Sequence, residues 1–272
     1  VEEASKHGME AIAITDHDNV SCAVRFAKAA TAKEMKPIQG AEVTLQNGFH
    51  LVLLAENPEG YANLCRILTK AHMSSPRGKP ALNIQELRPE DFRGLFGLSG
   101  CRRGEIPGLI LQGKTAEALE AARRYAGLLG RDRFFLELEG TFLPYTAQLN
   151  KSLWELAQKC RLGTVISCNV HYSRHEDFPV HDILTCVRTL TKVHEFHKER
   201  KLNWENYLKP AEEICSVLAY CGIPADSVLG GVAEIVDACK PAISLGTKRH
   251  PKFPLPPGVN AKDFLREIVF AG

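Results

Sequence analysis

Six side chains that can bind metal ions stand at or just beyond the ends of apolar segments in this sequence. They are His17, Glu42, His50, Cys101, Asn169 and His171. Imidazole, carboxylate and thiolate groups together form a ligand set that suits zinc, manganese or iron. Several such ions held together would neutralise a phosphodiester and activate water for its hydrolysis. The residue types therefore predict a metal centre, provided that the fold brings these segments to one place.

Several of these residues also have a structural interpretation. The two aspartates of Asp16–Asp18 could cap the helix that follows them. Glu42 could pair with Lys36 or with an arginine, and a single histidine at a strand end is more often hydrogen-bonded than metal-bound. His181 and Asp182 could join the same set or lie in the first turn of a helix. The coincidence of five separate strand ends favours the metal interpretation.

Cys101 offers a second kind of chemistry. It is followed by Arg102 and Arg103, whose charges would lower the pKa of a neighbouring thiol and make it a nucleophile. No histidine lies near it in sequence, so the metal interpretation is favoured over this one. The sequence has no GxSxG elbow, no GxxxxGK[ST] loop and no GxGxxG after a strand, which argues against serine hydrolases and nucleotide-binding folds.

Short apolar segments and amphipathic helical patterns alternate through the first part of the chain. The four apolar residues 11–14 predict a fully buried strand, and Asn47-Gly48 predicts a hairpin. Further strands are predicted at Gly40–Leu45, Phe49–Ala55, Gly94–Gly100, Arg133–Leu138 and Thr164–Ser167. This alternation predicts a parallel, wound α/β arrangement, and in a closed barrel the strand ends would converge on one rim.

The strand pattern stops after His175. Helices are predicted at Val180–Leu190, Pro210–Tyr220 and Asp226–Cys239. We therefore predict a barrel core in residues 1–175 and a helical extension in residues 176–272. The chain begins with Val and both ends resemble parts of helices, so we expect an internal piece of a longer chain.

The composition limits the class of protein. With 272 residues, 44% of them hydrophobic, the chain can form one large domain with an appendage. The net charge of +2 does not by itself indicate that the protein binds nucleic acid. Nine cysteines without a CxxC pair suit a reducing cytoplasm. There is no signal peptide, and no apolar run approaches the ~18 residues of a membrane span, so we expect a cytoplasmic protein with no membrane partner.

Several segments occur in the order of one known family. They are Ala-Ile-Thr-Asp-His-Asp at 13–18, Lys-Pro-Ile-Gln-Gly-Ala-Glu at 36–42, Leu-Ser-Gly-Cys-Arg-Arg-Gly-Glu at 98–105, Asn-Val-His-Tyr at 169–172, His-Asp-Ile-Leu-Thr-Cys-Val-Arg at 181–188 and Phe-Pro-Leu-Pro-Pro-Gly at 253–258. With these motifs, nearly the whole chain resembles the N-terminal region of bacterial DNA polymerase III alpha subunits of the DnaE type. The form of residues 99–105 is most similar to their error-prone branch.

The resemblance implies a PHP domain, which is a distorted (β/α)7 barrel with a metal cluster on its rim. A helical extension would then lead toward the polymerase thumb and palm. By motif, five residues fall on ligand positions for zinc or manganese: His17, Glu42, His50, Cys101 and His171. In metal-complete members this site can act as a 3′–5′ exonuclease, whereas in others the barrel only braces the polymerase. For the parent protein, the resemblance implies DNA, the remaining polymerase domains, a sliding clamp and other replisome subunits as partners.

Two departures from the family pattern bear on activity. The family's His-x-His motif would lie upstream of Val1, so we expect these residues to lack the first strand of the family's barrel. Asn169 stands where the family has an aspartate, and an amide holds a divalent cation more weakly than a carboxylate does. We therefore expect a metal-binding or vestigial scaffold that is not a working nuclease.

The parent is expected to be a DNA polymerase whose own active site lies outside this chain. Nucleotidyl transfer needs aspartates that hold two magnesium ions, and no Asp-x-Asp cluster lies on a strand after residue 182. The alternative is a stand-alone PHP phosphoesterase or 3′–5′ exonuclease. The helical extension and the proline-rich residues 253–258 argue against a stand-alone enzyme.

Overall fold

The structure is a computed structural model that describes residues 1–246 and 253–272. Its centre is one six-stranded sheet whose strands are neighbours in chain order, with the first and the last strand at its two edges. The strands are β1 (Ala11–His17), β2 (Lys36–Thr44), β3 (His50–Ala55), β4 (Leu95–Leu98), β5 (Phe134–Glu139) and β6 (Gly163–Ser167). The mixed α/β class is confirmed, and the six strands form a curled half-barrel sheet.

Ten α-helices lie in the described part of the chain. They are α1 (Glu2–Lys6), α2 (Ala23–Thr31), α3 (Pro58–Met73), α4 (Glu105–Leu111), α5 (Thr115–Leu129), α6 (Thr146–Cys160), α7 (Phe178–Thr189), α8 (Ala211–Cys221), α9 (Asp226–Ala238) and α10 (Ala261–Ala271). None of them is long and apolar enough to cross a membrane. The sequence did not predict α4, because Pro107 and Gly108 resemble helix breakers. Pro107 lies in the first turn, where a missing N–H costs no intrahelical hydrogen bond.

The prediction of an all-parallel sheet was wrong for β3, which runs antiparallel to both β2 and β4. The hairpin predicted at Asn47-Gly48 explains the reversal. Gly48 adopts a positive φ of +81°, and the chain returns directly from Thr44 to His50. A connection of this length cannot carry the crossover that a parallel neighbour needs. The pairs β1–β2, β4–β5 and β5–β6 are parallel, as predicted.

The prediction of a fully buried first strand was also wrong. β1 lies at the edge of the sheet, with β2 as its hydrogen-bonded neighbour. Ala13 and His17 are exposed, and the other residues of β1 are only partly buried. An apolar run at a sheet edge has a neighbouring strand on one side only, so periodicity alone could not distinguish it from a central strand.

The two faces of the sheet bury separate apolar layers. Leu53 and Phe134 face one layer, which they share with Leu153 of α6. Val52 and Phe135 face the other layer. Successive residues alternate between the layers because side chains in a strand point to opposite faces in turn.

The helices predicted as an extension pack into these same layers. Val217 of α8 belongs to the layer that contains Leu53, and Ile235 of α9 belongs to the layer that contains Val52. Lys36 Nζ also donates a hydrogen bond of 2.6 Å to the carbonyl oxygen of Val236. Helices α8 and α9 therefore continue the barrel core, and the division at residue 175 stays a prediction. Residues 247–252, which belong to the predicted extension, lie outside the described residues.

Gly231 allows α9 to lie directly against β6. A methyl group added at this position would stand 2.2 Å from the backbone carbonyl oxygen of Thr164, whereas one added at Gly230 would meet nothing within 4 Å. The neighbouring glycines of α9 therefore have different roles. The first is free of contacts, and the second is required for close packing of helix and strand.

We expect Gly231→Ala to lower the free energy of unfolding by about 1–3 kcal/mol, because the new methyl group forces α9 away from β6. Gly230→Ala is the matched control and should raise it by up to about 1 kcal/mol through helix propensity. Urea denaturation followed by circular dichroism measures both changes. Equal effects of the two substitutions would contradict the close packing of α9.

Candidate metal centre

The register of the first three strands brings His17, Glu42 and His50 together. His17 of β1 lies beside Glu42 of β2 in the parallel pair. His50 of β3 lies opposite Thr44, two residues after Glu42 on β2. Paired residues, and residues two apart on one strand, share a face of the sheet. The three side chains therefore project to the same face at one end of the sheet.

The three side chains form a compact group. One nitrogen of each histidine and one carboxylate oxygen of Glu42 all lie within 4.8 Å of one another. The rings of His17 and His50 meet edge to face, with centroids 4.7 Å apart, and His50 Nδ1 contacts Glu42 Oε1. The alternative partner Lys36 is bonded to the backbone of α9 and is not the partner of Glu42.

Asp18 orients the ring of His17. Its Oδ2 contacts His17 Nδ1 at 2.8 Å, and its two oxygens accept hydrogen bonds of 2.7 Å from the amide and the hydroxyl of Thr44. The hydrogen bond to Asp18 raises the pKa of His17. A carboxylate on one ring nitrogen leaves the other nitrogen for a metal ion, which is the usual support of a histidine ligand.

The neighbouring Asp16 has the structural role that the sequence left open. Its Oδ2 accepts a hydrogen bond of 3.3 Å from the amide of Cys22, directly before α2. The two aspartates, Asp16 and Asp18, therefore have different roles. One supports the start of a helix, and the other supports His17.

The charges of the histidines stabilise Glu42 as a carboxylate. Burial raises the pKa of Glu42, but the hydrogen bond from His50 and the charges of His50 and His17 outweigh that effect, so its pKa is lowered overall. A carboxylate that is ionised and partly buried between two imidazoles can act as a metal ligand.

Cys101, Asn169 and His171 line the same cavity of about 290 Å³ as the three clustered residues. They lie outside the compact group that His17, Glu42 and His50 form among the described residues. The structure therefore brings all six predicted residues to one cavity, but only three of them to within reach of a single ion.

The disfavoured alternative of Cys101 as an activated nucleophile gains no support from its surroundings. Burial, and then the charge of Glu42, raise the pKa of its thiol to about 12. The backbone hydrogen bond with Arg103 lowers this pKa, but burial and the charges of Glu42, Glu139 and Glu137 outweigh it. At neutral pH the thiol is protonated unless a bound metal ion displaces its proton.

A sharp turn presents His171 to the cavity. Asn169 has a positive φ of +45°, and its carbonyl oxygen contacts His171 Nδ1 at 2.7 Å. The amide of His171 donates a hydrogen bond of 2.9 Å to the carbonyl oxygen of Asn206. Although part of its ring is solvent-accessible, burial and then the charge of Lys201 lower the pKa of His171 to about 4. His171 is therefore neutral and available as a ligand at neutral pH.

Two buried glutamates of β5 make hydrogen bonds that hold the loops of the candidate centre. Glu139 Oε1 accepts a hydrogen bond of 2.8 Å from the amide of Arg102, which follows Cys101. Glu137 contacts the hydroxyl of Ser167, whose oxygen is 3.4 Å from the amide nitrogen of Asn169. These hydrogen bonds hold the backbone of two loops that carry predicted ligands. The alternation Leu-Glu-Leu-Glu in a strand with two buried faces was the available signal, and it was missed.

Basic side chains concentrate around this cavity, although the net charge of the chain is nearly zero. The lining includes Glu42 and Glu199 and the cations Arg102, Arg103, Arg188, Lys198, Arg200 and Lys201. Burial, with opposing contributions from nearby charges, lowers the pKa of Lys201 to about 8, so it is mostly charged at neutral pH. His181, which the sequence offered as a possible addition, also lines the cavity. Composition could not reveal this patch because its residues are distant in sequence.

The donor set fits one divalent ion. Two imidazole nitrogens and a carboxylate oxygen are common ligands of zinc and manganese. The support of His17 by Asp18 also matches a metal-binding histidine. The six cations of the lining would at the same time favour an anionic partner such as a phosphate ester.

Comparisons with known proteins agree with the motif-based resemblance. A family model of the PHP domain matches residues 1–141. The error-prone DNA polymerase of Symbiobacterium thermophilum is 45% identical over 287 aligned residues, which cover 100% of this chain and 26% of that protein. DNA polymerase III subunit alpha of Thermus aquaticus is 35% identical, covering 96% of this chain and 23% of that protein. The chain thus spans about a quarter of the length of these relatives.

Solved structures are also similar, among them the following one. It is named as a metal-dependent phosphoesterase from Bifidobacterium adolescentis, with a TM-score of 0.43 and 14% sequence identity, covering 83% of this chain and 90% of that one.

Burial raises the pKa of Glu137 to about 7, and this predicts a pH effect on stability. Because the folded state holds the proton more tightly than the unfolded state, stability should fall as pH rises from about 4.5 to 7. Glu137→Gln keeps the protonated shape, so above pH 7 it should be more stable than the native chain by about 1–3 kcal/mol. Urea denaturation across pH 4–8 tests this. Parallel profiles of the two proteins would contradict it.

Proposed function

This chain belongs to the PHP domain family, and on that basis we propose that it is the PHP module of a bacterial DNA polymerase of the DnaE type. The observation that carries the proposal is similarity to an error-prone DNA polymerase along the whole chain. The order of motifs from residue 13 to residue 258 supports it independently. The form of residues 99–105 and the name of that relative both favour the error-prone branch.

The parent protein then performs DNA-templated DNA synthesis in replication or damage tolerance. Its partners are DNA, the remaining polymerase domains, a sliding clamp and other replisome subunits in the cytoplasm. Magnesium for nucleotidyl transfer belongs to polymerase residues outside this chain. The role of the present chain within that protein is to supply a folded barrel with a metal-binding rim.

At the rim, His17, Glu42 and His50 are the proposed ligands, with zinc or manganese as the ion. Asp18 holds the His17 ring in position, while Cys101, Asn169 and His171 form the remaining wall. The ion would supply charge neutralisation for a phosphate ester and a water molecule of lowered pKa. The neutral amide of Asn169 weakens this site, which favours a scaffold role over nuclease activity.

A second candidate is hydrolysis of a phosphodiester at the rim, as a 3′–5′ exonuclease or as a phosphoesterase. The basic lining of the cavity favours it, because cations attract the phosphate of such a substrate. The proposed scaffold role and this candidate differ in one respect. Only the second requires turnover at the rim.

The metal site can be tested on this chain by measuring bound manganese or zinc after dialysis. Glu42→Gln should reduce the affinity by at least about tenfold, and Asp18→Asn should reduce it by about 10- to 100-fold through loss of His17 orientation. His7→Ala is the control, since that histidine lies outside the cavity. Binding that survives both rim substitutions would place the ion elsewhere.

The polymerase assignment is tested with the parent protein on primed DNA. We expect the parent to extend the primer in magnesium and the present chain alone to extend nothing. Neither should release nucleotides from a primer 3′ end in manganese if the rim is a scaffold. Failure of the parent to extend primers would refute the polymerase proposal, whereas nucleotide release that Glu42→Gln abolishes would favour the exonuclease.

A further inference from the structure

A short segment between α7 and α8 lies against the turn that carries His171. The amide of His171 donates a hydrogen bond of 2.9 Å to the carbonyl oxygen of Asn206. At the next position along, Tyr172 and Tyr207 pair as a parallel β-bridge. Asn206 is buried, although its side chain is a polar amide. A buried amide needs hydrogen-bond partners, and this one finds them in the same turn.

The side chain of Asn206 binds the backbone of the turn. Its Nδ2 donates hydrogen bonds of 3.2 Å to the carbonyl oxygen of Asn169 and of 3.4 Å to that of Cys168. Asn169 has a positive φ, which is uncommon for residues other than glycine. The two hydrogen bonds therefore stabilise the turn in the conformation that carries His171.

The carbonyl oxygen of Asn169 also decides which ring nitrogen of His171 carries the proton. It lies 2.7 Å from Nδ1 of His171. A carbonyl oxygen can only accept a hydrogen bond, so the proton of the neutral ring must be on Nδ1. Nε2 then keeps its lone pair and is the ring atom that can bind a metal ion. His171 lines the cavity of the candidate centre, so this lone pair is offered at the site.

A buried ion pair holds the segment of Asn206 itself. Lys209 is completely buried, and its Nζ lies 3.3 Å from Oε2 of Glu205 and 4.0 Å from the ring centroid of Tyr207. The ammonium also donates a hydrogen bond to the carbonyl oxygen of Glu205. Glu205 Oε2 accepts a hydrogen bond of 2.9 Å from the amide of Phe142, in the loop after β5. Asn206 therefore follows a residue that is anchored to a second loop, and it cannot shift without breaking these contacts.

We propose that Asn206 is a positioning residue of the candidate metal centre, because it fixes the turn at Asn169 that keeps the proton of His171 on Nδ1 and leaves Nε2 for a metal ion. This role rests on the proposed metal site, and it goes beyond that site because Asn206 belongs to none of the ligand motifs. Metal-binding histidines commonly donate their other ring N–H to a backbone carbonyl, and outer partners of this kind affect the affinity for the ion. The alternative is that Asn206 only packs between the two segments.

The test determines the tautomer of His171 in the present chain. Long-range proton–nitrogen NMR correlation on protein labelled with nitrogen-15 histidine distinguishes protonated from unprotonated ring nitrogens. The spectra are recorded without metal at a pH near 8, where a histidine of ordinary pKa is neutral. His171→Ala identifies the signals of that ring, and circular dichroism melting verifies that each variant is folded.

Asn206→Ala removes the side-chain donor, and Asn63→Ala is the matched control. Asn63 is also buried, and its Nδ2 donates a hydrogen bond of 2.8 Å to the carbonyl oxygen of Arg93. It lies outside the cavity of the candidate centre. The two substitutions therefore remove the same kind of interaction, but only one of them acts on the turn that carries His171.

We expect the native chain and Asn63→Ala to carry the proton of His171 on Nδ1. Asn206→Ala should move a measurable fraction of it to Nε2, because the turn relaxes and the carbonyl oxygen of Asn169 no longer holds Nδ1. Zinc should shift the Nε2 signal of His171 in the native chain, and Asn206→Ala should bind zinc about tenfold more weakly. An asparagine that only packs would lower the melting temperature without changing the tautomer.

The results that would overturn the inference are distinguishable. A native His171 with its proton on Nε2 refutes it, and this measurement needs no variant. Equal tautomers and equal zinc affinities of the native chain and Asn206→Ala refute the role of Asn206 while the metal site stands. A zinc response of His17 and His50 without one of His171 has the same meaning. If zinc shifts no histidine signal, the proposed metal site is itself refuted, and the role of Asn206 with it.

Discussion

The pairing of β1 with β2 is the constraint on which the candidate centre depends. It sets His17 beside Glu42, and the hairpin to β3 then returns His50 to the same face. A shift of one residue in either pair would turn a candidate ligand to the opposite face of the sheet. For β2 and β3, the buried apolar layers on the two faces oppose such a shift, because it would exchange residues between the layers. The same packing that stabilises the fold therefore specifies the site.

Acidic and basic side chains both lie near the candidate centre. Below the rim, Glu137 and Glu139 are buried in β5 and hold the backbone of neighbouring loops. Above it, a segment fastened by Arg200 brings Lys201 into the cavity.

Local sequence patterns predicted much of the fold and all three residues of the compact group. Candidate ligands were predicted because apolar runs stop abruptly before His17 and Cys101 and because Glu42 interrupts one. The antiparallel direction of β3 was not predicted. The alternation of strands and helices indicated parallel strands, and this pattern was given more weight than the hairpin predicted at Asn47-Gly48. Glu137 was missed because a glutamate between leucines resembles a residue on a solvent face. Lys201 was missed because nothing in its local sequence indicates a tertiary contact with a rim made elsewhere.

The residues that hold the loops of the candidate site in place are different from the residues that could bind the metal ion. Ser167, Glu139 and Asn206 hold loop backbone through their own hydrogen bonds, and none of them is a candidate ligand. A ligand can therefore be replaced during evolution with little effect on the backbone around it. Asn169, at a position where the resemblance implies an aspartate, is an example. Descendants of an active enzyme can lose metal chemistry by neutral drift and still inherit a barrel that other domains rely on. Selection on the architecture and selection on the chemistry become independent.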